Sequence, residues 1–242
     1  MRINVHAGHN ADGRTACGAI GFIRESTEAR RIKEAVISMI RQQGHTVYDC
    51  TVDNAASVSD NLQKIVAACN AHDVDLDVSL HFNSGIGDTI GNGKSTGVEV
   101  YVYNSASRAK CYAERVCQAV AELGFHNRGV KYSKGLYVLK NTKAPAMLVE
   151  CCFVDDRDDV ELYDCRKMAE AIAFGITGQR AETSDEEQSA DTGVVTPGAE
   201  TAVGNKNQRY QIRVGTYTVK EYADATLAKV KAAGFDAIMV SV

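Results

Sequence analysis

From residue 1 to about 178 the chain alternates short apolar runs with longer amphipathic stretches, and that order confines the fold more than any other property. Ile3 to Val5 reads as a first strand, and residues 24 to 43 as a helix with Ala29, Ile32, Val36 and Ile40 on one face. Thr46 to Cys50 is strand-like. A helix follows from Ser57, where Ser57-Val58-Ser59-Asp60 has the form of a capping box, and runs to about Ala71. Leu76 to His81 and Gly97 to Tyr103 are further strands. Residues 105 to 123 form a helix stopped by Gly124, and residues 165 to 177 a closing helix. Leu136 to Leu139 and Ala146 to Cys151 are predicted as short strands between them. Repeated β-then-α order predicts an α/β fold, a mostly parallel twisted sheet covered by helices on both faces.

The pattern stops near residue 179. Residues 179–206 carry the acidic run Glu182-Thr183-Ser184-Asp185-Glu186-Glu187 and then Ser, Thr, Gly and Ala without an apolar period, which predicts a flexible linker. Residues 207–242 read as a strand at Tyr210 to Gly215, a helix opening at Thr218 and a second strand at Ala237 to Val240. Such a βαβ unit is too small for a core of its own. Its open strand edges predict pairing with a second copy, hence a homodimer or oligomer through residues 207–242.

Four stretches carry the chemistry: Val5-His6-Ala7-Gly8-His9, Arg24-Glu25, Ser79-Leu80-His81-Phe82-Asn83 and Met147-Leu148-Val149-Glu150. His9 follows the first strand, while His81 and Glu150 close later ones. Ligands of open α/β sheets collect beyond the carboxyl ends of the strands, so these three belong to one sheet edge. Glu25 shares a helix face with Ala29, Ile32 and Val36 and therefore starts a buried stripe. Two histidines and a carboxylate make a zinc site with one open position, and a further Glu makes a general base, which together read as metal-assisted hydrolysis.

Alternatives exist within that set. His6 could ligate in place of His9, although a strand histidine more often packs or orients a neighbour. Glu28 competes with Glu25, and either could simply complement the helix dipole. His45, His72 and His126 sit in polar turns and read as solvated. The run Gly85-Ile86-Gly87-Asp88-Thr89-Ile90-Gly91-Asn92-Gly93 follows a strand but opens no helix, so it reads as a mobile loop and not a phosphate cradle. Asn83, Leu136 and Tyr137 are candidate substrate contacts.

Residues 1 to 178 resemble the zinc-dependent type 3 N-acetylmuramoyl-L-alanine amidases. The matching motifs are the Gly8-His9 pair, Gly18-Ala19-Ile20-Gly21 with Arg24-Glu25, Ser79-Leu80-His81-Phe82-Asn83, and Pro145-Ala146-Met147-Leu148-Val149-Glu150. The resemblance implies zinc held by His9, Glu25 and His81, a catalytic Glu150, and cleavage of the amide between N-acetylmuramic acid and L-alanine in peptidoglycan. Many members carry Asp-Pro before the Gly-His; here those positions are His6-Ala7, so a contact behind the ligands differs. The tail resembles half of a SPOR-type peptidoglycan-binding module, or the small wall-binding pieces of clostridial phage endolysins, through Ile212-Arg213-Val214-Gly215-Thr216-Tyr217 and Ala233-Gly234-Phe235.

Charge and cysteine usage fit that setting. A net charge of −4 argues against nucleic-acid binding, and no apolar run is long enough to span a membrane. All eight cysteines precede residue 166, lack CxxC spacing and lie mostly in apolar runs, which predicts buried free thiols. The chain enters its first strand at once, without an apolar h-region, so the expectation is cytoplasmic synthesis without a signal peptide and action on the wall after release. The expected partner is the peptidoglycan of Gram-positive bacteria, and the expected role is a phage endolysin. A sporulation mother-cell amidase, a zinc carboxypeptidase on the stem peptide and a non-catalytic peptidoglycan-binding protein are the alternatives.

Overall fold

A computed structural model describes residues 1–180, together with the helical positions Leu227 and Lys231. The chain divides into two units, Met1–Asp185 and Glu186–Val242. The linker expected at residues 179–206 lies outside the described residues from 181 onward. The βαβ unit expected at 207–242, and the dimer expected through it, lie outside them apart from those two positions.

The described residues form six strands and six helices, in the order β1 (Arg2–Ala7), α1 (Glu25–Gln42), β2 (Thr46–Asp49), α2 (Val58–Asn70), β3 (Leu76–Asn83), β4 (Val98–Val102), α3 (Lys110–Ala121), β5 (Asn127–Tyr132), α4 (Tyr137–Asn141), β6 (Ala146–Phe153), α5 (Arg157–Leu162) and α6 (Cys165–Thr177). They build one sheet in the order β2-β1-β3-β6-β4-β5. The pairs β1–β2, β1–β3, β3–β6 and β4–β5 are parallel, and β4–β6 is antiparallel. The sheet is thus mostly parallel, as expected, with β4 and β5 reversed against the other four strands.

Alternation along the strands assigns the two faces. Ile3, Val5, Leu76, Val78, Leu80, Phe82, Val98, Val100, Met147 and Val149 pack under α1, α3 and α6 in the larger core. Ala29, Ile32, Val36 and Ile40 are fully buried and form the stripe by which α1 joins it. The opposite face carries Ala146 and Leu148 against Ile65, Val66 and Cys69 of α2 and Val138 and Leu139 of α4. Burying one branched aliphatic side chain is worth about 1.5–3 kcal/mol, so these two layers dominate the stability of the sheet.

Helix ends follow local chemistry. The Ser57 hydroxyl accepts from the Asp60 amide at 3.1 Å, and the Asp60 carboxylate reaches back to the Ala56 amide at 2.8 Å. Asp164 caps α6 through the Lys167 amide at 2.9 Å. The helix expected from residue 105 starts only at Lys110, because Asn104 and Ser107 accept from the Ala106 and Ala109 amides and hold the preceding residues in turns.

Several expectations need correction. Leu136 to Leu139, predicted as a strand, lies at the start of α4: the Ser133 hydroxyl accepts from the Gly135 and Leu136 amides, turning the chain, and Val138 and Leu139 then pack toward α2. Short apolar runs do not separate strand from helix by periodicity. Strand β5 went unread because it is an edge strand without a buried residue, interrupted by Gly129. Helix α5 went unread because its six residues are mostly polar. His72 is not a solvated turn residue: it stacks on Tyr48 at 4.0 Å and 6° and its Nδ1 lies 3.8 Å from Cys50 Sγ. All eight cysteines are free, and Cys50, Cys69, Cys117, Cys151 and Cys152 are buried.

Candidate functional site

On the face of the sheet that α2 and α4 partly cover, β3 carries polar side chains at every second position. Asp77, Ser79, His81 and Asn83 of β3 alternate with the core residues Val78, Leu80 and Phe82. Glu99 of β4 and Glu150 of β6 continue the row: Glu150 is paired in register with His81 on one side and with Glu99 on the other.

His9, Glu25 and His81 meet there. One ligand atom from each lies within 4.8 Å of the others, the only such group among the described residues. Oε1 of Glu25 sits 2.9 Å from Nδ1 of His81 and 3.3 Å from Nε2 of His9. Its other oxygen accepts from the Ala19 amide at 2.7 Å, which fixes the carboxylate. Burial alone would raise the Glu25 carboxyl, but the hydrogen bonds and charges of His81 and His9 outweigh it and hold it well below the usual carboxylate range. The donor set, two imidazole nitrogens and one ionised carboxylate oxygen, suits a divalent cation of the zinc type and leaves a coordination position open.

Glycines make the convergence possible. A Cβ on Gly8 would overlap the imidazole of His81, and one on Gly18 would stand 2.5 Å from Oε2 of Glu25. The loop after β1 is held just as firmly. His9 adopts φ +60°, and Arg30 fixes that conformation by donating to the His9 carbonyl at 3.0 Å while bonding Asp53 at 2.8 Å. Asn10, fully buried, donates to the carbonyls of Thr15 and Ala55 and accepts from the Ala55 amide and from Asn61.

Glu150 stands beside this cluster outside the group of three. Its Oε2 is buried without a hydrogen-bond partner among the described residues. Burial, then the charges of Glu25 and Glu99, push its carboxyl up to about 8. Glu99 is the opposite case. It accepts from Arg128 Nε at 2.8 Å, and from Asn83 Nδ2 and the Tyr101 hydroxyl at 2.9 Å each. Burial raises its carboxyl, but Arg128 and Tyr101 hold it below its ordinary value.

The remaining candidates divide. His6 is buried, its Nδ1 3.5 Å from the Ser79 hydroxyl, and stays outside the group of three. Glu28 is occupied by Arg31 at 2.9 Å and the Tyr163 hydroxyl at 2.9 Å. Asn83 is engaged with Glu99 and with the Ser84 amide. Leu136 packs on the cluster that contains Leu148, and Tyr137 is exposed at the start of α4. The glycine run after β3 is tied down: Asp155 accepts from the Gly85 and Gly87 amides, and Asp158 from those of Asn92 and Gly93. Those amides are therefore not free to cradle a phosphate. Glu99, Arg128, Arg30 and Asn10 escaped the sequence reading. A signal for Glu99 existed, since it is the one carboxylate in the otherwise apolar alternation Val98-Glu99-Val100-Tyr101-Val102.

Fold and cluster together define an α/β protein with a candidate mononuclear metal site beside an uncommitted carboxylate. Residues 3–178 match the N-acetylmuramoyl-L-alanine amidase family, and the chain belongs to it. An uncharacterized protein of Clostridium perfringens is 33% identical over 164 residues, 67% of this chain and 47% of that protein, so the chain spans about half the length of this relative. A sporulation-specific N-acetylmuramoyl-L-alanine amidase of Bacillus subtilis is 23% identical over 245 residues, covering 99% of this chain and 84% of that one. Among solved structures, the catalytic domain of the CD27L endolysin, which targets Clostridia difficile, is 25% identical with a TM-score of 0.65 over 74% of this chain and 98% of that domain.

Proposed function

We propose that this protein hydrolyses the amide bond between N-acetylmuramic acid and L-alanine in peptidoglycan, with zinc held by His9, Glu25 and His81. The observation that carries the reading is the meeting of those three ligand atoms beside Glu150, a half-buried carboxyl whose buried Oε2 has no hydrogen-bond partner among the described residues. When bound, the zinc polarises the scissile carbonyl and lowers the pKa of the attacking water. Glu150 takes the proton from that water and delivers it to the nitrogen of the leaving L-alanine. Burial, with the charges of Glu25 and Glu99, raises the Glu150 carboxyl above the ordinary carboxylate range, which makes its ionised form the stronger base toward the water proton. Glu25, locked by the Ala19 amide, supplies a fixed anionic ligand.

Mass spectrometry of the products released from purified Gram-positive cell walls tests this. Free stem peptides beginning with L-alanine are expected. Release of terminal D-amino acids would instead identify a carboxypeptidase, and the absence of any released product would leave a binding protein.

The role proposed is that of a phage endolysin, made in the cytoplasm and acting on the wall after release, supported by likeness to the CD27L catalytic domain. A second reading, a sporulation amidase, is favoured by the Bacillus subtilis relative, which matches 99% of the chain. A holin gene beside the coding sequence supports the first, and expression confined to the mother cell the second.

A further inference from the structure

Arg128 ties down one nitrogen of its guanidinium and leaves two. Its Nε donates to Oε2 of Glu99 at 2.8 Å, and its carbon sits 5.0 Å over the ring of Phe153. Nη1 and Nη2 have no hydrogen-bond partner among the described residues, and the side chain is 32% exposed. Glu99 itself is 4% exposed and held on both oxygens, with Asn83 and Tyr101 on Oε1. The buried carboxylate therefore works as a bracket: it fixes the plane of the guanidinium from behind and presents the outer edge to solvent. The bracket stands one strand from the candidate base, because Glu99 is the register partner of Glu150.

A guanidinium fixed on one side, with two outward N–H groups on the other, is the geometry that receives a carboxylate in a fork. Lys131, on the same strand, adds positive charge near Glu99, so this flank of the site is cationic while the flank of Glu25 and Glu150 is anionic.

We propose that Arg128 is a specificity-determining residue that binds a carboxylate of the stem peptide one residue beyond the scissile amide. This rests on the amidase reading above. In peptidoglycan the second stem residue is joined through its side-chain carboxyl, so its α-carboxyl is free unless the cell amidates it. Arg128 thus discriminates between stems that carry this negative charge and stems that carry a neutral amide.

The test uses the full-length, zinc-loaded protein and two synthetic muramoyl peptides, identical except that the second residue bears a free α-carboxylate or its amide. The wild type is expected to favour the carboxylate by about tenfold in kcat/KM, carried by KM. In Arg128→Gln that ratio is expected to fall toward one, and in Arg128→Lys to an intermediate value, because a point charge replaces the fork. A ratio near one in the wild type, or one that survives intact in both variants, would overturn the proposal. If Arg128→Gln does not fold, the wild-type ratio and the Lys variant still decide. Should the wild type cleave neither peptide and release no stem peptide from cell walls, it is the amidase reading that fails.

Discussion

Glu99 and Glu150 face each other across the antiparallel β4–β6 pair, yet one carboxylate is bound on both oxygens and the other keeps an oxygen unpaired among the described residues. Two neighbouring acids thus receive opposite environments, the usual way a fold separates a fixed anion from a proton carrier. Charge on Glu99 is one of the causes that raise Glu150. Glu99→Gln removes it, so Glu150 becomes the stronger acid. The acid limb of the pH–hydrolysis profile is expected to move to lower pH, and an unmoved limb would show that the Glu99 charge does not reach Glu150.

Glu150→Gln keeps the shape of the side chain and removes its ability to take a proton. Turnover of purified peptidoglycan should fall by roughly 10²–10⁴-fold, while zinc content measured by atomic emission should match that of the wild type. Normal turnover in this variant would remove Glu150 from the mechanism.

Gly8→Ala places a methyl group where the imidazole of His81 stands. The ring has to move away from Oε1 of Glu25, so zinc content and activity should both drop. Overpacking of this kind costs about 1–3 kcal/mol, visible as a lower urea midpoint. Retention of stoichiometric zinc would mean that the ring relaxes without leaving the cluster.

His6 predicts an acid-sensitive fold. Burial, then the charge of His81, lower its pKa from 6.5 to about 3. The unfolded chain then binds more protons than the folded one between those values, so the stability that neutral His6 permits is complete above about pH 6.5 and is lost as pH falls toward 3. By pH 5 the loss is about 2 kcal/mol. Urea midpoints of the wild type and His6→Gln, compared at pH 7 and pH 5, should show the wild type losing more. The same variant separates the two histidines: His6→Gln is expected to bind zinc as the wild type does, and His9→Ala to lose it.

The candidate ligands were legible because each sits where a periodic element starts or stops. His9 follows an apolar strand, His81 ends one, and Glu25 opens the stripe Ala29-Ile32-Val36-Ile40. Glu99 and Arg128 were not, for a topological reason. Nothing in Val98 to Val102 records which way the strand runs, and a parallel β4 would carry Glu99 to the opposite edge of the sheet. Reversal brings the beginnings of β4 and β5, and with them Glu99 and Arg128, to the edge where β3 and β6 finish. Arg30 and Asn10 were hidden differently: their task is to hold backbone carbonyls and amides of the loop after β1, and such contacts leave no spacing in the chain.

The same reversal frees one connection. Since Val102 pairs with Met147 near the beginning of β6, the segment between β4 and α3 leaves the sheet on the side away from His9, Glu25 and His81. Its turns at Asn104 and Ser107 close on themselves through short-range hydrogen bonds. A fluorophore or affinity handle inserted at residues 104–107 would sit at the sheet edge opposite His9, Glu25 and His81, and is expected to leave them undisturbed.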